Sequence, residues 1–189
     1  MNLAEKKTLN AILYFVEKTN YCYKTKLFKL LYFWDFLNIK HHGESITGYT
    51  YVTFPKGPVP VELYNQITHE ELPEEFRKSF SIVEYVDDDD KKSFRIIPKK
   101  GVKIDLEWLS KSEMESLEQI AYTYIDSSAT QMSELTHLKN TPWSRTMEKL
   151  GLGKTIDYLL ALDDQATISR EEAEERITLQ KELKSYGRA

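Results

Sequence analysis

Three prolines within six residues, Pro55, Pro58 and Pro60, constrain this chain more than any other feature. Each fixes one φ angle and removes one backbone donor, so Phe54-Pro55-Lys56-Gly57-Pro58-Val59-Pro60 forms neither a helix nor a central strand. Gly57 precedes a proline, which biases it to extended conformations, and its missing Cβ lets another chain segment approach closely. The segment therefore reads as a rigid elbow, followed by Leu63-Tyr64. Upstream stands an aromatic helix containing Lys29-Leu30-Leu31-Tyr32-Phe33-Trp34. There Leu27, Leu30, Leu31, Trp34 and Leu37 keep helical spacing, and Phe28, Tyr32, Phe33 and Phe36 fill most of the remaining circumference. A helix apolar nearly all round is covered on several sides, so residues 25–39 are expected to be the hub of the core, capped at Gly43. No polar groups are seen to converge on the elbow in the sequence, so it reads as architecture.

The remaining elements follow from periodicity and caps. Leu9, Ile12, Leu13 and Val16 predict a first helix over residues 3–19, with Asn2 and Glu5 as a capping box. Residues 46–54 read as a short strand, and 61–68 and 70–79 as short helices, the second opened or bent at Pro73. Residues 80–86 and 93–98 read as a hairpin around an exposed charged tip. Ser110 with Glu113 opens another helix, residues 130–139 form a short one, and Thr141-Pro142 starts the next, which Gly151 ends. A further capping box at Ser169 and Glu172 begins a charged tail with few apolar residues, a loosely held or partner-ordered flank. The expected fold is α+β, mostly α: a compact helical domain around a central aromatic helix, with a short strand and a hairpin. Its expected division is a domain over residues 1–165 and a charged tail over 166–189.

Composition narrows the function classes. A chain of 189 residues with 41% hydrophobic residues buries one core and is not disordered. Its net charge of −4 argues against attraction of nucleic acid by the whole surface. The single Cys22 excludes an intrachain disulfide and a cysteine-rich zinc site, as in a reducing compartment. No stretch reaches the roughly 18 apolar residues of a membrane span, and the first residues lack a leader pattern, so a soluble cytoplasmic protein is expected.

Candidate chemistry is sparse. The adjacent His41 and His42 point to different sides, and His69-Glu70-Glu71 lacks the second histidine of a zinc-protease helix, so no metal and no cofactor is expected. His137 stands between two short helices near Trp143, where a general base and a packing histidine are both conceivable; packing is favoured because no nucleophile accompanies it. Lys91, Lys92, Arg95, Lys99, Lys100 and Lys103 would suit a DNA-contacting hairpin, but Asp87, Asp88, Asp89 and Asp90 at its tip would repel phosphates. Those aspartates suit a basic protein partner better.

Taken together, Lys29-Leu30-Leu31-Tyr32, then Gly57-Pro58-Val59 with Leu63-Tyr64, then Thr136-His137 with Pro142-Trp143, resemble the Panacea (SocA-like) antitoxin domain over roughly residues 8–165. The resemblance implies a non-enzymatic antitoxin that neutralises a cognate toxin by direct contact, in bacteria, phages or mobile elements. It also implies, for one branch of such proteins, delivery of the toxin to a cytoplasmic protease. On this view the motif residues are structural and Asp87–Asp90 meet the partner. The alternative is a DNA-binding regulator using the basic part of the hairpin, and a hydrolase built on His137 ranks third.

Overall fold

The computed structural model describes residues 1–86 and 92–186. These form eight α-helices and two two-stranded antiparallel sheets, a mostly α member of the α+β class. Helix α1 (Leu3–Lys18) opens with the Asn2–Glu5 capping box, both of its hydrogen bonds made. Helix α2 (Lys24–His42) ends on Gly43 at φ 67°, a left-handed C-cap. A Cβ at Gly43 would stand 2.8 Å from Ile168 Cδ1 and 3.1 Å from the Ala173 Cα. This cap thus also marks where the last helix approaches.

Helix α2 is the hub. Leu27, Leu30, Leu31, Tyr32, Trp34 and Ile39 are all at most 2% exposed. The helix is covered by α1, by α5 (Lys111–Thr123), by α6 (Ala129–His137) and by the first sheet. Trp34 meets Phe15 of α1 edge to face, with centroids 6.3 Å apart. Its Nε1 donates to the Glu113 carbonyl at 3.1 Å and to Ser116 Oγ at 3.0 Å, tying α2 to the start of α5. Leu31→Ala is expected to cost about 3 kcal/mol, the middle of the range for a buried leucine. Urea denaturation checks this, and an unchanged midpoint would remove α2 from the core.

The first sheet pairs β1 (Tyr51–Phe54) with β2 (Gly57–Pro60), joined by Pro55-Lys56. Gly57 follows that turn at φ 98°, a positive φ that suits a glycine closing a short hairpin and departs from the ordinary extended conformation expected of a residue before a proline. The other side of β1 is used by residues 153–156: Thr53 N–H donates to the Lys154 carbonyl, and the N–H groups of Gly153 and Ile156 donate to Thr53 and Tyr51. The proline-rich segment is therefore an edge strand, the one sheet position that tolerates missing donors. Its strand residues Gly57–Pro60 are all buried, which the sequence does not show, while Pro55 and Lys56 at the turn are exposed.

Two expectations need correction. The strand expected over residues 46–54 is only Tyr51–Phe54. Asp35 takes the N–H groups of Ile46 and Thr47 at 2.7 and 2.9 Å, and Gly48 adopts φ 65°, so this stretch cannot extend the ladder. The tail is the second case. Helix α8 (Arg170–Tyr186) buries Ala173 and Ile177, and Arg176 donates to the His42 carbonyl at 2.8 Å. Gln180 exchanges hydrogen bonds with the Ser45 backbone, and Lys184 donates to the Gly48 carbonyl. Few apolar residues suffice because backbone carbonyls left free at the end of α2 and in the following loop supply polar anchors.

The other elements lie close to expectation: α3 (Val61–Thr68), α4 (Glu74–Ser79, following Pro73), the hairpin β3 (Phe80–Val86) and β4 (Lys92–Pro98), and α7 (Pro142–Leu150) ending on Gly151. Two 3-10 turns cover Leu106–Trp108 and Tyr158–Ala161.

Candidate functional site

The three sequence blocks meet in one place. Lys29 lies in the second turn of α2 with 1% exposure, and its Nζ donates to the Pro58 carbonyl at 2.8 Å. Gly57 sits against the same side chain: a Cβ built there would fall 2.5 Å from Thr136 Oγ1 and 2.7 Å from Lys29 Cε. The proline elbow is thus clamped between α2 and α6. Thr136 is fully buried and spends its hydroxyl on the Ser133 carbonyl at 2.7 Å. Leu63 is completely buried behind the elbow, while Val59 is 7% exposed and Tyr64 half-buried, edge-on to Phe54 at 5.4 Å.

Burial dominates the electrostatics of this cluster. With one carbonyl acceptor and no carboxylate paired to it among the described residues, the Lys29 ammonium is poorly compensated, and burial lowers its pKa to about 7. His137 is exposed and lies flat on Trp143, with ring centroids 3.9 Å apart and planes at 22°. Its pKa is lowered, first by partial burial and then by the nearby Lys29. The indole N–H of Trp143 and the hydroxyl of Tyr32 are buried with no hydrogen-bond partner among the described residues.

A second buried ionisable group, one turn and a half along α2, organises the other side of the helix. Asp35 is fully buried and accepts from four donors: the N–H groups of Ile46 and Thr47, the Thr47 hydroxyl, and Tyr51 Oη at 2.8 Å. Burial raises its pKa, and the four donors oppose that rise. Neither Lys29 nor Asp35 stands out by motif as a buried charge. The available signal is their position on a helix with almost no polar face, where a charged side chain has no solvent side to take.

Around Lys29 the geometry offers structural support for the elbow. Lys29, Gly57, Pro58, Thr136 and His137 are brought together, but Lys29 and Thr136 are at most 1% exposed and already hydrogen-bonded to backbone carbonyls, and His137 faces solvent on a stacked ring. His137→Ala is expected to cost no more than about 1.5 kcal/mol, the worth of one aromatic pair. Thermal denaturation checks this, and a much larger loss would mean that the ring does more than stack on Trp143. Among the described residues, no group of three or more His, Cys, Asp or Glu side chains is arranged to hold a metal. No helix among them is long and apolar enough to cross a membrane. Asp87–Asp90, expected to meet the partner, lie outside the described residues. Of the basic residues on the hairpin, Lys92 is paired with Glu84 at 2.8 Å, which removes one cation from the DNA-contacting face considered above.

The profile of the SocA-like antitoxin family, Panacea domain, matches residues 27–144, more than half of the chain. The chain belongs to this family. The matched span begins inside α2 and ends just after Trp143, so it contains every motif residue gathered around Lys29. Helices α1 and α8 of the Panacea protein lie outside it. No curated protein and no solved structure matches the chain. Membership supports an antitoxin role in general, and with it a toxin as partner and a non-enzymatic mode of action.

Proposed function

We propose that this Panacea protein is a cytoplasmic antitoxin that neutralises a cognate toxin by binding it directly. The observation that carries the reading is the family match over residues 27–144. The geometry supports it in one respect: Lys29, Gly57, Pro58, Leu63 and Thr136 are turned inward, so the matched span supplies a scaffold, and contacts to a partner fall to exposed surface. Motif residues committed to a core hold a fold; they do not select a partner. The domain on this reading is residues 1–165, with the tail helix bound along its side.

The test is co-expression with the reading frame next to the chain's own gene, scored for growth rescue and for co-purification. Rescue accompanied by a stable complex is expected. The lifetime of the toxin, measured with and without the host's cytoplasmic proteases, separates sequestration from delivery to a protease: a toxin that persists in the complex is sequestered, and one that disappears only when the protease is present is delivered. Failure of both rescue and co-purification overturns the reading.

A further inference from the structure

We propose that a groove bounded by α2, α5, the α6–α7 turn and the 3-10 turn at Tyr158–Ala161 receives an acidic segment of the toxin that inserts a large apolar side chain. This rests on the antitoxin reading above and deepens it by naming the surface and the chemistry of what it takes.

The groove encloses about 710 Å³, within the roughly 300–1,000 Å³ usual for binding clefts. Its walls include Phe33, Leu37, Tyr124 and Leu160, all left half-buried. Phe33 and Tyr124 stack with centroids 5.1 Å apart and planes at 19°, giving a flat, rigid aromatic wall. Rigid aromatic surface in a concavity gains contact area without losing much side-chain entropy when a partner arrives, which is how interface anchor pockets are built.

The rim sets the charge of the occupant. Lys139 and Arg145 line the groove, are exposed, and make no ion pair among the described residues. Lys40 also lines it but is held by Asp163 at 2.8 Å, and among the described residues Asp163 is the only carboxylate in the lining. Three cations against one anion leave this surface at +2, on a chain whose net charge is −4. Thr141 and Pro142, at the N-terminus of α7, line the same groove, and the helix end adds positive potential to the two free cations. A basic segment would meet unpaired cations there at close range. An acidic segment with one apolar anchor satisfies both the rim and the wall.

The test uses the purified full-length chain and the protein encoded by the adjacent reading frame, with affinity measured by calorimetry at low and high salt. Two variants are compared with the parent: Lys139→Glu with Arg145→Glu, and Leu160→Asp. Thermal midpoints and circular dichroism confirm that each folds. The charge reversal is expected to weaken binding by at least about tenfold at low salt, with a smaller difference at high salt, as screened rim charges require. Leu160→Asp is expected to weaken it at both. Parent-like affinity in both folded variants overturns the groove assignment and leaves the antitoxin reading standing. A parent that binds nothing overturns both. A parent that is dimeric alone, and that the charge reversal splits, assigns the groove to a second copy instead and overturns the toxin assignment.

Discussion

Gly57→Val is expected to lower the stability of the domain by on the order of 3–5 kcal/mol, enough to unfold much of it. Two costs add. The residue sits at φ 98°, where an L side chain costs roughly 1–2 kcal/mol and a β-branched one more. The first added carbon would also lie 2.5 Å from Thr136 Oγ1 and 2.7 Å from Lys29 Cε. Overpacking of a closed core typically costs about 1–3 kcal/mol, because neighbours leave their rotamers to make room. Neither neighbour can give cheaply: Thr136 is fully buried and bonded to Ser133, and Lys29 is anchored on Pro58. Gly57→Ala is expected to show a smaller loss of the same origin. Guanidinium denaturation of both variants checks this. A Gly57→Val protein with the parent midpoint would mean that the elbow does not lie between α2 and α6.

The second large effect is a dependence of stability on pH that runs through Lys29. Its folded-state pKa is lowered by burial from the ordinary 10.5 to about 7. Below pH 7 the folded and unfolded chains both carry the proton, and this lysine contributes no pH dependence. Between about pH 7 and 10.5 the unfolded chain binds a proton that the folded chain does not, so stability rises with pH across that window. The full displacement corresponds to on the order of 5 kcal/mol. In Lys29→Met the titrating group is gone, while the Pro58 carbonyl loses its donor. The stability of the parent minus that of Lys29→Met is therefore expected to increase steadily from pH 7 to pH 9.5, with other titrating groups cancelling in the difference. Parallel curves over that range would show that the Lys29 ammonium is compensated by something other than the Pro58 carbonyl.

Helix positions were the most legible part of the chain, because they depend on local signals. The capping boxes at Asn2 and Ser110 and the Thr141-Pro142 start each mark a real terminus. Ser169 accepts from the Glu172 N–H at 3.1 Å at the start of α8. The central place of α2 was legible for the same reason, since residues filling its whole circumference leave no face for water. What periodicity could not show is long-range pairing. The elbow looked like a loop because prolines break ladders, and its role as a buried edge strand depends on β1 obtaining its other partner from residues 153–156, about a hundred positions away. The truncation of the expected strand at residues 46–50 depends on Asp35, whose carboxylate captures two backbone donors in the loop that follows its own helix.

The candidate site was legible as a set of blocks and not as a cluster. Lys29, Gly57 and Thr136 are separated by 28 and 79 residues, and only the fold shows that glycine is required at 57 because a lysine and a threonine close on it. The groove at Lys139 and Arg145 was invisible for a similar reason. Its wall comes from α2 and α5, its rim from the α6–α7 turn, and its last edge from the turn near Leu160. Its lining residues fall in four stretches, 32–40, 119–124, 136–145 and 160–163, which only the fold brings side by side.

The central claim is neutralisation by binding, and the most direct measurement is a titration of the adjacent-frame toxin with the purified Panacea protein. Toxin activity is followed in vitro at toxin concentrations well above the dissociation constant. The account predicts a linear loss of activity that reaches zero at a fixed stoichiometric ratio, complete as soon as the two are mixed, with both chains recovered intact from the complex. Progressive inactivation of excess toxin by a trace of the Panacea protein, with turnover, would contradict it.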